Sequence, residues 1–219
     1  MSQKEIKYSN TKKYTIFGGI LFFILLMIFS LGKCAKHSFK EPLFYGPGCE
    51  SGCEKSEYII PDFIFTADNG DLLNRDSLFG DIWVAAFYDL NDPNLSKITE
   101  RLLNVNFRFR DEADVRIIVF SSNDSLSTTN AKDYVTQLNR YNVNSRKWCV
   151  ASAPKESLDA FMRNGFGIEN AKTEAKFYLL DMRGQIRGWY GNTEYHMEDM
   201  MEDIAMLKKI KKNEARGKR

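Results

Sequence analysis

Cys49 and Cys53 stand close together as Cys-x3-Cys in the stretch GPGCESGC, in a chain that holds only four cysteines and two histidines. Two sulfurs at that spacing suit three chemistries. They can close a small disulfide in an oxidising compartment, hold a soft metal such as copper as thiolates, or pass electrons as a dithiol pair. Gly46, Gly48 and Gly52 would let the loop wrap an ion or close on itself. The second ligand pair that marks a zinc site is absent from the neighbouring sequence. His37 could join Cys34, Cys49 and Cys53 around a metal, although a solvated side chain is the simpler reading. Cys34 stays open between an unpaired, an acylated and an intermolecularly bonded thiol. Cys149, beside Trp148 in an apolar run, reads as a small buried hydrophobe. His196 with Met197, Met200 and Met201 invites a copper reading, but methionines at helical spacing are first of all core. Asp89, Asp92 and Glu100 read as solvated side chains and a helix cap rather than as general acids or bases. No glycine-rich phosphate loop and no Ser/His/Asp set is evident.

The elements that must position these groups follow from hydrophobic period. Residues 82–103, IWVAAFYDLNDPNLSKITERLL, read as a buried strand, a short loop and an amphipathic helix. The strand is nearly all apolar, as a strand covered on both faces has to be. Asp92 or Asn94 suits the helix cap, with Leu95, Ile98, Leu102 and Leu103 on one side. A thioredoxin-type domain keeps its reactive cysteines in such a loop, and here the loop from Leu90 to Asn94 has none. Before it come a strand near 63–66 and a turn at Asp68-Asn69-Gly70. After it come a strand at 115–122, a helix over about 131–141 and a short strand at 147–152. A helix over 156–164 is then stopped by Gly165, and AKFYLLD and QIRGWYG form a hairpin across Met182-Arg183-Gly184. The last helix places Met197, Met200, Ile204, Leu207 and Ile210 on one stripe. Early strands linked by helices pair parallel and the late hairpin pairs antiparallel. The expected fold is α/β, a thioredoxin-like mixed sheet flanked by helices and preceded by one N-terminal transmembrane helix.

That transmembrane helix is read from Tyr14 to Gly32, which carries no charge over 19 residues. As a helix it would span roughly 28 Å, close to the hydrocarbon thickness of a bilayer. Lysines flank it on both sides, so the positive-inside rule favours a cytoplasmic N-terminus only slightly. The expected layout is a cytoplasmic tail (1–13), an anchor in the lipid bilayer (14–32) and a glycine- and proline-bearing tether (33–57). A domain at 58–210 and a basic tail at 211–219 follow, with the domain in the periplasm or an equivalent space outside the cytoplasmic membrane. A net charge of +2 with 27% charged residues is ordinary for a globular protein, and no basic stripe with interleaved aromatics argues for nucleic-acid binding.

The chain resembles the Sco/SenC family, membrane-anchored thioredoxin-fold copper chaperones of cytochrome oxidase assembly. LFYGPG followed by IPDFIFTADNGDLL is similar to the family's opening segment. FGDIWVAAFYDLNDPNLSKITERL stands where the family carries its cysteine loop, WCVASAPKESLDAFMRNGFGI resembles its tryptophan-led strand and helix, and AKFYLLDMRGQIRGWYG resembles its closing hairpin. The resemblance covers about residues 40–207. By position the two family cysteines fall near Leu90 and Asn94, and the family histidine near Thr173. None of these replaces a thiolate or an imidazole, so neither the family's copper site nor its disulfide exchange carries over. Cys49 and Cys53 repeat the copper spacing, but in the tether.

The resemblance implies an accessory or assembly protein of a respiratory membrane complex, related to cytochrome oxidase. With the loop emptied, it is expected to act by protein binding rather than as an enzyme, and without a cofactor. The alternative is a copper or thiol carrier using Cys49 and Cys53. An active thiol oxidoreductase or peroxidase at the Leu90–Asn94 loop ranks last, for want of a nucleophile.

Overall fold

The computed structural model describes residues 10–34, 40–122, 129–168 and 176–217. The chain divides into two compact units, Met1–Lys40 and Glu41–Arg219. In the first, helix α1 runs over Asn10–Cys34, 25 residues. Its apolar side chains from Ile20 to Met27 are exposed. Among the described residues no helix is long and apolar enough to cross a membrane. The described side chains of α1 reach only from Tyr14 to Met27.

The second unit is built on strands β1 (Phe65–Ala67), β2 (Leu72–Leu73), β3 (Ile82–Phe87), β4 (Val115–Ser122), β5 (Trp148–Ala153), β6 (Lys176–Leu180) and β7 (Ile186–Gly191). The helices are α2 (Leu95–Arg108), α3 (Thr129–Arg140), α4 (Lys155–Phe166) and α5 (Glu194–Ala215). One sheet takes the order β2-β1-β5-β4-β3-β6-β7. β3, β4 and β5 pair parallel, while β6 pairs antiparallel with both β3 and β7. The mixed sheet expected from the element order is therefore present.

The pleat sorts each central strand onto two cores. Ile82, Val84 and Ala86 face one, with Ile98, Leu102 and Val105 of α2, Tyr134 and Leu138 of α3, and Met197, Met200, Ile204 and Leu207 of α5. Trp83, Ala85 and Phe87 face the other, with Leu158, Phe161 and Phe166 of α4. Because β3 is covered on both faces, all of its residues are buried. The methionines of α5 are core, as their spacing implied.

Element ends depart from expectation where local chemistry decides. α4 runs through Gly165, which packs on Pro61, and ends at Gly167, the residue with the left-handed φ of 66°. A helix stops where the backbone must turn left-handed, and the sequence offered two glycines for that role. Asn94 is the N-cap of α2, but neither it nor Asp92 caps the helix through its side chain. The Asp92 carboxylate instead accepts the Asn94 N–H at 2.7 Å, a turn upstream of the helix. β1 lies at 65–67 rather than 63–66, because Phe63 turns into the aromatic core of α4.

Candidate functional site

The loop after β3 occupies the end of the sheet where reactive sulfurs were sought, and core packing fills it. Leu90 is 1% exposed and belongs to the core shared with α2 and α5, while Asn94 faces solvent. Tyr88, directly after β3, meets Tyr134 of α3 with their hydroxyls 2.7 Å apart, both rings buried. Burial pushes both phenols well above the ordinary tyrosine range, so neither ionises near neutrality. Asp89 accepts hydrogen bonds from the backbone and side chain of Asn91, which closes the turn locally. The arrangement has acceptors and apolar surface but no nucleophile. Thr173 lies outside the described residues.

The other site-type residues fall apart in space. His196 accepts the Gly191 N–H on Nδ1 at 3.0 Å and donates its own N–H to Thr193. That is the capping geometry at the start of α5, not a ligand set. Cys149 is buried in β5, and desolvation pushes its thiol up to about 12. It is inert for that reason. Among the described residues no group of three or more His, Cys, Asp or Glu converges as a metal site. His37 lies outside them.

Cys49 and Cys53 are joined as a disulfide, the first of the three chemistries that suited their spacing. In this oxidised form neither sulfur is a thiolate that could bind copper. The loop that carries them is fastened to β7, the edge strand. Phe44 and Cys53 exchange backbone hydrogen bonds of 2.8 and 2.9 Å, and the Tyr45 N–H donates to the Ile186 carbonyl at 2.9 Å. The segment read as a tether is thus, from Glu41 on, laid against the domain and covers part of an otherwise open sheet edge. Gly46 is required there, since its φ is +142° and a Cβ would stand 2.5 Å from the Tyr58 ring.

Arg187 holds this clasp, and the sequence reading missed it. The side chain is 4% exposed and donates to Asp181 at 3.1 Å, to Glu41 at 2.9 Å and to the Pro42 carbonyl at 2.6 Å. Its guanidinium lies 3.8 Å from the centre of the Phe44 ring. Asp181 is itself oriented by the backbone N–H groups of Arg183 and Gln185. The available signal was an arginine inside an apolar strand, which has to be paired to be buried. Beside the clasp lies a cavity of about 450 Å³ lined by Tyr45, Pro47, Phe166, Tyr178 and Trp189 among others.

Fold and site together define a class: a thioredoxin-like α/β domain whose usual sulfur loop is packed shut, with a disulfide clasp on its far edge strand. No protein-family model matches the chain, and no curated protein does. Solved structures do match. BsSco, a member of the Sco family of cytochrome c oxidase assembly proteins, superposes with a TM-score of 0.59 at 20% identity, over 77% of this chain and 96% of its own. A SCO1/SenC family lipoprotein from Bacillus anthracis str. Ames gives 0.57 at 22%, over 69% and 95%. A protein described as a putative disulfide isomerase from Bacteroides thetaiotaomicron gives 0.53 at 16%, over 77% and 95%. Nearly the whole of each neighbour is matched, and at these identities what is shared is the fold.

Proposed function

We propose that this chain is a membrane-anchored, Sco-like accessory or assembly protein of a respiratory membrane complex, acting by protein binding rather than by catalysis. One observation carries the reading: the scaffold is complete while the loop after β3 is filled by Leu90 and the Tyr88–Tyr134 pair. A domain that keeps its sheet, both cores and the loop's architecture without any sulfur there has its surfaces left to work with. The apolar stretch from Tyr14 to Gly32 supports an anchor, and the exposed side chains of α1 are what a lipid-facing helix presents. On this reading the domain lies outside the cytoplasmic membrane, which a short N-terminal tail ahead of one apolar segment favours. The link to respiration rests on likeness to the Sco proteins, two of which are among the structural neighbours reported above.

The test is affinity capture of the full chain, solubilised in mild detergent from its own membranes, with quantitative proteomics. The proposal expects subunits of a cytochrome oxidase or its assembly intermediates, enriched over a control bait bearing α1 alone. Recovery of no respiratory subunit overturns it.

A further inference from the structure

We infer that the Cys49–Cys53 disulfide is an exchange site, which oxidises a dithiol on an exported protein whose cysteines are flanked by apolar residues. The inference rests on the proposed placement of the domain outside the cytoplasmic membrane, and is independent of any respiratory partner.

The disulfide is poorly placed to be a staple of the fold. It bridges residues separated by 4 in sequence, so closing it removes little chain entropy. The clasp around it is fastened by other means: Arg187 grips Glu41 and Pro42, and Tyr45 is bonded to Ile186. Both cysteines are partly exposed, and Glu50 and Ser51 between them face solvent. This contrasts with Cys149, sealed in β5.

The surroundings provide what exchange needs. The cavity of about 450 Å³ is walled on one side by Tyr45, Gly46, Pro47 and Glu50 of the clasp, and on the other by Phe166, Tyr178 and the exposed Trp189. Glu50, which stands between the two cysteines in sequence, is part of that wall, so a segment seated there lies against the loop that carries them. Both cysteines are held by the backbone: Cys53 through its N–H and its carbonyl to Phe44, and Cys49 through its N–H to the Gly46 carbonyl and its carbonyl to the Gly52 N–H. Cys49 is next in sequence to Glu50 of the cavity wall, so attack is assigned to Cys49.

The step balances without a further reagent. A client thiolate attacks Sγ of Cys49, the Cys49–Cys53 bond breaks, and Cys53 leaves as a thiolate that takes a proton from water. The client's second thiolate then attacks its own sulfur in the mixed disulfide, and Cys49 leaves as a thiolate. The client loses two electrons and gains a disulfide, and Cys49 and Cys53 become a dithiol.

The test uses the full chain in detergent, in a Cys34→Ser background and labelled in the folded state, so that buried Cys149 is not counted with this pair. The probes are dithiothreitol and a synthetic peptide with two reduced cysteines flanked by Phe and Leu, with the product thiols trapped by a maleimide mass tag. The inference expects stoichiometric reduction by the peptide, with the peptide recovered as its internal disulfide, and about tenfold slower reaction with the peptide in Trp189→Ala. Trp189 is exposed, so its loss leaves the fold intact, and the rate with dithiothreitol should not change. A pair that the peptide leaves oxidised, or reduces equally fast with and without Trp189, overturns the inference.

Discussion

Replacing Arg187 with alanine removes a side chain that joins the hairpin, the clasp and a buried carboxylate. Asp181 is left behind with a side chain only 5% exposed and no cation. Breaking a buried ion pair by deleting one partner costs about 3–5 kcal/mol, because the survivor keeps its desolvation penalty. Two backbone N–H groups still hold Asp181, and Nε of Arg187 has no hydrogen-bond partner, so the lower end applies. The bonds to Glu41 and Pro42 and the contact with Phe44 are lost as well, but that loss falls on the clasp rather than on global unfolding. The expectation is a loss of about 3 kcal/mol, or roughly 6–12 °C in Tm for a domain of this size. Urea unfolding of the full chain in micelles, followed by tryptophan fluorescence, measures the first quantity. Amide exchange over residues 44–53 measures release of the clasp. Adding Asp181→Ala should recover part of the loss, since the stranded charge goes with it. A loss under about 1 kcal/mol, or a double variant whose cost equals the sum of the two singles, would refute the view of Arg187 as a buried paired latch.

Leu90→Ala should cost about 2–5 kcal/mol in the same urea experiment, as a core truncation does, whereas Asn94→Ala should leave stability within about 0.5 kcal/mol. Equal effects would mean that the loop is not packed shut. Gly46→Ala should destabilise by about 1–2 kcal/mol and speed amide exchange in the clasp, because alanine meets both the left-handed backbone and the Tyr58 ring. For Asp114, burial pulls the carboxyl upward, but the Lys211 hydrogen bond and the charges of Lys211 and Lys208 outweigh it and hold the group below the ordinary carboxylate range. A depressed carboxylate stabilises above its unfolded pKa and stops doing so as pH falls through the folded value. Asp114→Asn should therefore cost up to about 1 kcal/mol at pH 7, less in high salt, and nothing once both states are protonated. A cost unchanged between pH 7 and pH 2 would contradict this assignment.

Much of the fold was legible because its signals are local. A continuous apolar run marks a strand covered on both faces, and β3 and β4 lie where IWVAAF and VRIIVFSS stand. The Met182-Arg183-Gly184 turn is set by backbone preferences of the residues in it, and the stripe of α5 by helical period. The emptiness of the loop after β3 was equally plain, since the absence of sulfur from a stretch of sequence needs no structure to establish. Ends were less legible. Gly165 and Gly167 have the same local preference, and in the folded chain the first stays helical beside Pro61 while the second takes the left-handed turn.

What the tertiary structure alone decided concerns residues far apart in the chain. Glu41 and Arg187, 146 positions apart, meet only because β7 is the sheet's edge and the incoming segment lies along it. Glycine and proline content made residues 41–53 look like a free tether, since composition reports backbone freedom and not the contacts that remove it. The spacing of Cys49 and Cys53 permitted a disulfide, a metal pair or free thiols, and the fold brings the sulfurs together as the first of these. Local sequence thus determined the elements and the missing chemistry. Long-range packing determined where the remaining sulfur chemistry sits and which side chain holds it there, because burial and pairing depend on neighbours that sequence order does not name.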